Sequence, residues 1–218
     1  MRGNVGMGRA TKRKTRETRD RLLDTAEDVF NEKGVSGTTL NDIAEAAGVT
    51  RGAIYWHFRN KQDMFDAMFE RVRGPIHTMI EEIADEKTAD PLGRLGEKSV
   101  YLMEQIVENP RYRKVMSILF HKCEYTDTIR EIQLRQQEWR ARGIETVTRV
   151  LRNAIQKGQL PDNLDIRLAS LMLHIAWDGL LNSWLLMPDS FDLVKDSQRL
   201  HEGILSMLKN SPYLRVKA

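Results

Sequence analysis

The chain reads as all-α. Three observations predict it. Apolar residues recur every three to four positions through most of the 218 residues. No segment alternates apolar and polar side chains as a half-buried strand does, and no internal repeat is visible. Gly and Pro stand between the periodic runs at spacings that suit helices. With 41% apolar and 30% charged residues, the chain is long enough for a substantial core in one or two domains.

Taken in order, residues 16–33 form a helix with the stripe Leu22, Leu23, Ala26, Val29 and Phe30, stopped by Gly34. Leu40, Ile43, Ala44 and Ala47 give the next, short helix one apolar face. A Thr just before it can cap its free N–H groups, and Gly48 ends it, because glycine tolerates a left-handed C-cap. Val49 fills the angle, and Thr50 caps a second short helix over residues 51–58. Asn60 caps a longer helix over 61–84, in which Gly74-Pro75 predicts a kink or break, since proline lacks the N–H and clashes with the preceding turn. This helix is the lever between an N-terminal head, residues 1–60, and the remainder, residues 61–218.

After the polar linker 85–90, Asp90-Pro91 starts a helix that Asn109-Pro110 ends. Helices over 111–121 and 127–157 follow, the second closed by Gly158 and Pro161. Residues 165–187 have almost no polar face, and a helix apolar all round is buried on every side. A last amphipathic helix covers 191–209.

Two short helices joined by a Gly-containing turn have the form of a DNA-binding helix-turn-helix, whose second helix enters the major groove. Ile54 and Phe58, four apart, face inward, so Arg51, Tyr55, Trp56 and His57 face mostly outward. Arg51 can pair bidentately with guanine. Gly52 and Ala53 keep the backbone accessible. Tyr55, Trp56 and His57 can donate to phosphates, with Thr39, Thr50 and Lys61 beside them. The alternative makes Tyr55, Trp56 and Phe58 packing aromatics of a three-helix unit, Trp56 being the most structural of the set.

At these residues the chain resembles a known family. Thr50-Arg51-Gly52-Ala53-Ile54-Tyr55-Trp56-His57-Phe58, followed by Asn60-Lys61, is similar to the signature of the TetR family of transcriptional regulators. Thr39-Leu40, Ile43-Ala44 and Ala47-Gly48-Val49 match it as well. Ile118-Leu119-Phe120-His121-Lys122-Cys123-Glu124, Trp184-Leu185-Leu186 and Pro188-Asp189-Ser190-Phe191-Asp192-Leu193 resemble the AcrR/TtgR-type multidrug-efflux repressors within it. The resemblance implies a dimer closed by a four-helix interface, a multidrug cavity around the block 118–124 and the helix carrying Asp178, and control of efflux-pump genes by the pump's own substrates. Some relatives carry a polar residue where Phe120 stands, so ligand preference does not transfer.

Charge agrees with a nucleic-acid partner. The net charge is only +3, but cations cluster at Arg2, Arg9, Lys12, Arg13, Lys14 and Arg16, before the first acid at Glu17. Such an arm is often disordered and binds phosphate backbones without sequence preference. Its bland reading is a solvated tail. No uninterrupted apolar run reaches a membrane span, and the N-terminus lacks a secretory h-region, so a cytoplasmic protein without membrane partner is expected. The single Cys123 excludes an internal disulfide and paired-cysteine metal clusters. It is an inert thiol or a redox sensor. No nucleophile–base pair, phosphate loop or complete metal spacing supports an enzyme, and no cofactor is expected.

The nearly nonpolar helix needs two partners: its own core and the same helix of a second subunit, an isologous interface. Within it, His174 and Asp178 are four apart, with Asn182 and Ser183 further along. Three readings stay open: a structural pair, a ligand pocket in which Asp178 accepts from or counter-charges a drug-like molecule, and a metal site. For a pocket, Met103, Met116, Phe120, Ile144, Val147, Trp177 and Asp178 supply the usual mixture of apolar wall and few polar groups, with His174 beside them. The expectation is a homodimeric repressor released from a palindromic operator by a small hydrophobic effector. A TetR-type regulator of another pathway and an effector-independent DNA-binding protein are the alternatives.

Overall fold

The computed structural model describes the backbone of residues 5–123 and 130–216, and the side chains from Lys12 on. Among these residues the elements are helices α1 (Val5–Lys33), α2 (Leu40–Ala46), α3 (Arg51–His57), α4 (Lys61–Ile83), α5 (Pro91–Glu108), α6 (Pro110–His121), α7 (Arg130–Gln156), α8 (Ile166–Leu186) and α9 (Leu193–Asn210), then a 3-10 turn at Pro212–Leu214. One isolated antiparallel bridge, Leu164 with Arg215, ties the last residues to the segment before α8. Two expectations change. The basic arm is helical from Val5, so α1 begins a full three turns before residue 16 and displays Lys12, Arg13, Lys14 and Arg16 on its exposed side. Gly74-Pro75 does not break α4, which runs through Pro75. Arg2 lies outside the described residues, as does the predicted start of α7 at 127–129.

The chain divides into two compact units. The first comprises residues 1–72 with 114–133; the second comprises 73–113 with 134–218. The reason is packing that sequence order conceals. The backbone N–H of Val35 donates to the carbonyl of Lys122 at 2.9 Å, and the Lys114 ammonium pairs with Asp28, so the later part of α6 belongs with α1.

In the first unit, Leu22, Leu23, Ala26 and Phe30 of α1 are fully buried, together with Ile43 of α2, Ile54 of α3 and Met64 and Met68 of α4. Phe30 meets Phe65 edge-on at 6.1 Å. Thr39 and Asp42 close a reciprocal capping box on α2, which holds the Asp42 carboxyl below its ordinary pKa. Gly48, at φ 64°, turns the chain into α3 in a conformation that a Cβ would strain. Arg71 links α4 back to α1 through Asp24 at 2.8 Å and the buried Glu27 at 3.2 Å.

The second unit has its own core, with Ile83, Leu92, Leu95, Val150, Leu151, Leu173, Ile204 and Leu208 among its buried members. Helix ends are tied by side chains rather than left open. Asn153 donates to Ala84 O at 3.0 Å, Arg215 to Lys209 O at 2.7 Å, and Arg113 to the carbonyls of Ile106 and Val107. Arg149 reaches both carboxylate oxygens of Glu81 through one nitrogen, at 2.7 and 2.6 Å. Within a single chain, helix α8 buries only part of its circumference. Ala169, Leu173, Leu181 and Trp184 face the core, while Ile175 and Leu186 are 57% and 66% exposed. The first set satisfies the core of one chain; the second finds no partner within it.

His201 on α9 is buried with no hydrogen bond to either ring nitrogen among the described residues. It lies beside Trp177 at 5.9 Å, against Gly96 of α5, where a Cβ would stand only 2.6 Å from Nε2. Burial depresses its pKa below 6.5, and the nearby Glu202 charge opposes this only in part. The unfolded chain therefore takes a proton that the folded chain resists. Stability from this source is complete above the usual histidine pKa and is lost as pH falls below it. The slope of unfolding free energy between about pH 7 and 5 should flatten in His201→Leu. An unchanged slope would show that His201 does not titrate with unfolding. Phe30→Ala should cost about 3–5 kcal/mol in urea denaturation.

Candidate nucleic-acid interface and effector site

Helix α3 is only seven residues long, and its burial pattern decides what it can show. Ile54 is fully buried, and Phe58, the C-cap, is 1% exposed beneath the Arg19 guanidinium at 5.0 Å. Arg51, Gly52, Tyr55 and Trp56 are left outside, Trp56 at 70% exposure. A Trp held this far into solvent is not packing the head, so the packing alternative fails for Trp56. Arg51 lies over the Tyr55 ring at 5.7 Å, a contact that pre-sets the guanidinium on the exposed face. A Cβ at Gly52 would meet nothing closer than Thr50 Oγ1 at 4.0 Å. The chain's own packing therefore does not demand glycine there, and Ala53 beside it is half-buried.

The flanking residues divide in their availability. Thr50 Oγ1 accepts from Ala53 N–H at 3.2 Å, which leaves its own O–H to donate outward. Thr39, by contrast, spends its hydroxyl proton on Asp42 at 2.6 Å within the capping box. His57 meets Trp56 edge-on at 4.7 Å. Burial and, after it, the Arg19 charge depress its pKa, so it stands as a neutral imidazole at pH 7. Lys61 is not the free surface cation its position suggests. Its ammonium donates to Val35 O at 2.6 Å and Ser36 O at 3.0 Å, anchoring the start of α4 to the α1–α2 turn, and burial lowers its pKa. One of its three donors remains for a phosphate.

The expected effector residues are distributed over both units. Met116 and Phe120 of α6 belong to the first, with Met116 buried and Phe120 half-buried; half-buried Cys123 follows α6 there. Met103 of α5, Ile144 and Val147 of α7, and His174, Trp177 and Asp178 of α8 belong to the second. There α7 and α8 run antiparallel in a register read from three pairs. Thr148 donates to Ser170 at 2.9 Å, His174 lies 3.8 Å from where a Gly143 Cβ would stand, and Arg140 pairs with Asp178 at 2.6 Å. The imidazole thus lies between the two helices, at ordinary contact distance from where a Gly143 Cβ would stand.

Sequence reading missed Arg140 and Gln136. Both stand in a polar stretch of α7 that looks like a solvated face, and nothing in the linear order brings Arg140 to Asp178. His174 Nε2 is 3.4 Å from Asp178 Oδ2, and burial, outweighing the Asp178 charge, lowers the His174 pKa. Among the described residues, three buried atoms on α7 and α8 have no hydrogen-bond partner: Gln136 Nε2, His174 Nε2 and Asp178 Oδ2. The short Arg140–Asp178 approach neutralises charge without hydrogen-bond direction. Among the described residues, no three His, Cys, Asp or Glu side chains gather to hold a metal ion, and no helix is long and apolar enough to cross a membrane.

Comparison with known proteins agrees with this division of labour. Residues 22–68 match the family described as bacterial regulatory proteins, tetR family, and residues 90–210 match the C-terminal region of MAATS-type transcriptional repressors. The HTH-type transcriptional regulator TtgR of Pseudomonas putida is 40% identical over 209 residues, covering 96% of this chain and all of the relative. NalD, the secondary repressor of the MexAB-OprM multidrug efflux pump in Pseudomonas aeruginosa, superposes with a TM-score of 0.81 at 35% identity, covering 91% of this chain and 99% of that one. SmeT, the repressor of the Stenotrophomonas maltophilia pump SmeDEF, in complex with triclosan gives 0.83 at 32% identity, covering 90% and 93%. A helix-turn-helix head with Arg51, Gly52, Tyr55 and Trp56 exposed on its second helix, matched with the helical second unit along nearly the whole chain, places the chain in the TetR family of transcriptional regulators.

Proposed function

We propose that this protein is a homodimeric repressor of a multidrug efflux operon, acting in the cytoplasm and released from a palindromic operator by small hydrophobic or drug-like effectors. The observation that carries the DNA half is the exposed set Arg51, Gly52, Tyr55 and Trp56 on a helix anchored by only Ile54 and Phe58. Arg51 reads a base edge, and Thr50, Tyr55, Trp56 and His57 fix register on phosphates. The names of TtgR, NalD and SmeT support the efflux assignment, and the triclosan complex of SmeT supports a small aromatic effector.

The bare face of α8 supports the dimer. Ile175, Gly179 and Ser183, with Leu200 of α9, border an open apolar hollow of about 400 Å³. Exposed apolar area of this kind marks an interaction surface. A second copy contributing the same face closes it isologously and sets two α3 helices at one separation for successive major grooves. The effector acts by binding more tightly to a dimer whose heads are misplaced for those grooves; equal affinity for both arrangements would release nothing.

The deciding experiment is titration of an operator–protein complex with triclosan, flavonoids and dyes, read by fluorescence anisotropy. Release is expected, and no release by any of them would favour an effector-independent DNA-binding protein. Arg51→Ala should remove about 1–3 kcal/mol of discrimination between the operator and a shuffled duplex, whereas Trp56→Ala should weaken both duplexes alike. Lys61→Ala should lower the melting temperature as well as reduce the salt slope by at most ~1; a changed slope with unaltered melting would mean that its two carbonyl contacts carry no stability. Ile175→Asp should convert a sedimenting dimer to monomer and cost operator affinity, and a stable dimer in that variant would refute the α8 interface.

A further inference from the structure

We infer that Arg140 is a specificity-determining residue of the effector site, and that its pairing with Asp178 tunes the site to neutral, hydroxyl-bearing aromatic molecules and against cations. The inference rests on the effector-responsive reading above and names the ligand chemistry of that site. On sequence alone Asp178 serves equally as a hydrogen-bond acceptor or as a counter-charge for a drug-like molecule. The structure puts Arg140 Nη2 at 2.6 Å from its carboxylate, so that charge is already compensated from within the chain. His174 supplies no second cation at neutral pH, because its burial between α7 and α8 favours the uncharged ring.

What the site lacks is hydrogen-bond direction. Asp178 Oδ2 has a cation beside it but accepts no hydrogen bond. His174 Nε2 is 3.4 Å away and equally unpartnered, and the Gln136 amide nitrogen, one turn from Arg140 on the same face of α7, has no acceptor. Buried polar groups in this state cost free energy until a partner arrives. A ligand hydroxyl can donate to Asp178 and accept from Gln136 without disturbing the ion pair. A cation must displace the Arg140 guanidinium, and then faces its repulsion. Met103, Ile144 and Val147, the apolar residues expected to line such a site, belong to the same unit and are buried or half-buried.

The test uses two probes and the full-length protein in the absence of DNA. Triclosan is a neutral phenol; tetraphenylphosphonium is a permanent cation without donors. Calorimetric affinities are measured for wild type, Arg140→Gln, Arg140→Lys, Asp178→Asn and the Arg140→Gln/Asp178→Asn pair. Wild type should prefer the phenol. Arg140→Gln should move the affinity ratio toward the cation by about fivefold, the scale of a half-exposed ion pair. Arg140→Lys, which keeps the charge, should restore the wild-type ratio, and adding Asp178→Asn to Arg140→Gln should abolish the gain. A merely structural role for Arg140 would weaken both probes together and leave the ratio unmoved. Binding of both probes with a ratio unchanged in Arg140→Gln, or a gain that survives Asp178→Asn, overturns this inference and leaves the effector reading standing. Binding of neither probe by wild type overturns both.

Discussion

The reading face of this protein depends on how little of α3 is buried. A helix of seven residues is too short to be stable alone and persists only through tertiary contacts. Here the buried Ile54 and the capping Phe58 supply them, with Arg19 of α1 over the Phe58 ring. Those two side chains fix the rotation of the helix about its axis. Once they point inward, Arg51, Gly52, Tyr55 and Trp56 have no choice but solvent or a partner. Thr50 and Gly48 set where the helix starts and how the chain arrives, so the geometry of recognition is decided by caps and anchors rather than by the recognition residues themselves.

The second unit shows the converse problem. Its helices have ample apolar surface, and the difficulty is the polar residues it encloses. Along the α7–α8 seam, Thr148 and Ser170 satisfy each other, while Arg140, Asp178, His174 and Gln136 do not complete a network. Core polar groups are normally paired, and a cluster that is compensated in charge yet unsatisfied in direction suits a site that a guest completes. His201, a few side chains away behind Trp177, is buried and unpaired as well, which makes the α8–α9 side of this unit sensitive to protonation.

Helices α4 and α6 each contribute to both compact units, dividing at Val72/Arg73 and at Arg113/Lys114. The α6 share is secured in the head by the Val35–Lys122 backbone bond and the Lys114–Asp28 pair, and at the other end Arg113 is fastened to the C-terminal carbonyls of α5.

Much of this was written locally. The helices α2, α3, α5, α8 and α9 were legible because their caps, breakers and periodicity are consecutive residues: a Thr before α2, Gly48 and Thr50 between α2 and α3, Asp90 with Pro91 before α5. So was the outward set on α3, because four-residue spacing of Ile54 and Phe58 assigns the faces. Three matters were decided only by tertiary structure. Lys61 became an anchor because the α1–α2 turn brings two carbonyls to it. The later part of α6 joined the head because Lys122 meets Val35, 87 residues away in sequence and one hydrogen bond away in space. Asp178 acquired a cationic neighbour in Arg140, which helical periodicity reads as solvated and helix–helix register delivers to it. Capping, turning and amphipathicity act within a few residues, so the linear order contains them; the pairing of two charges from different helices depends on crossing and register, which no single segment encodes.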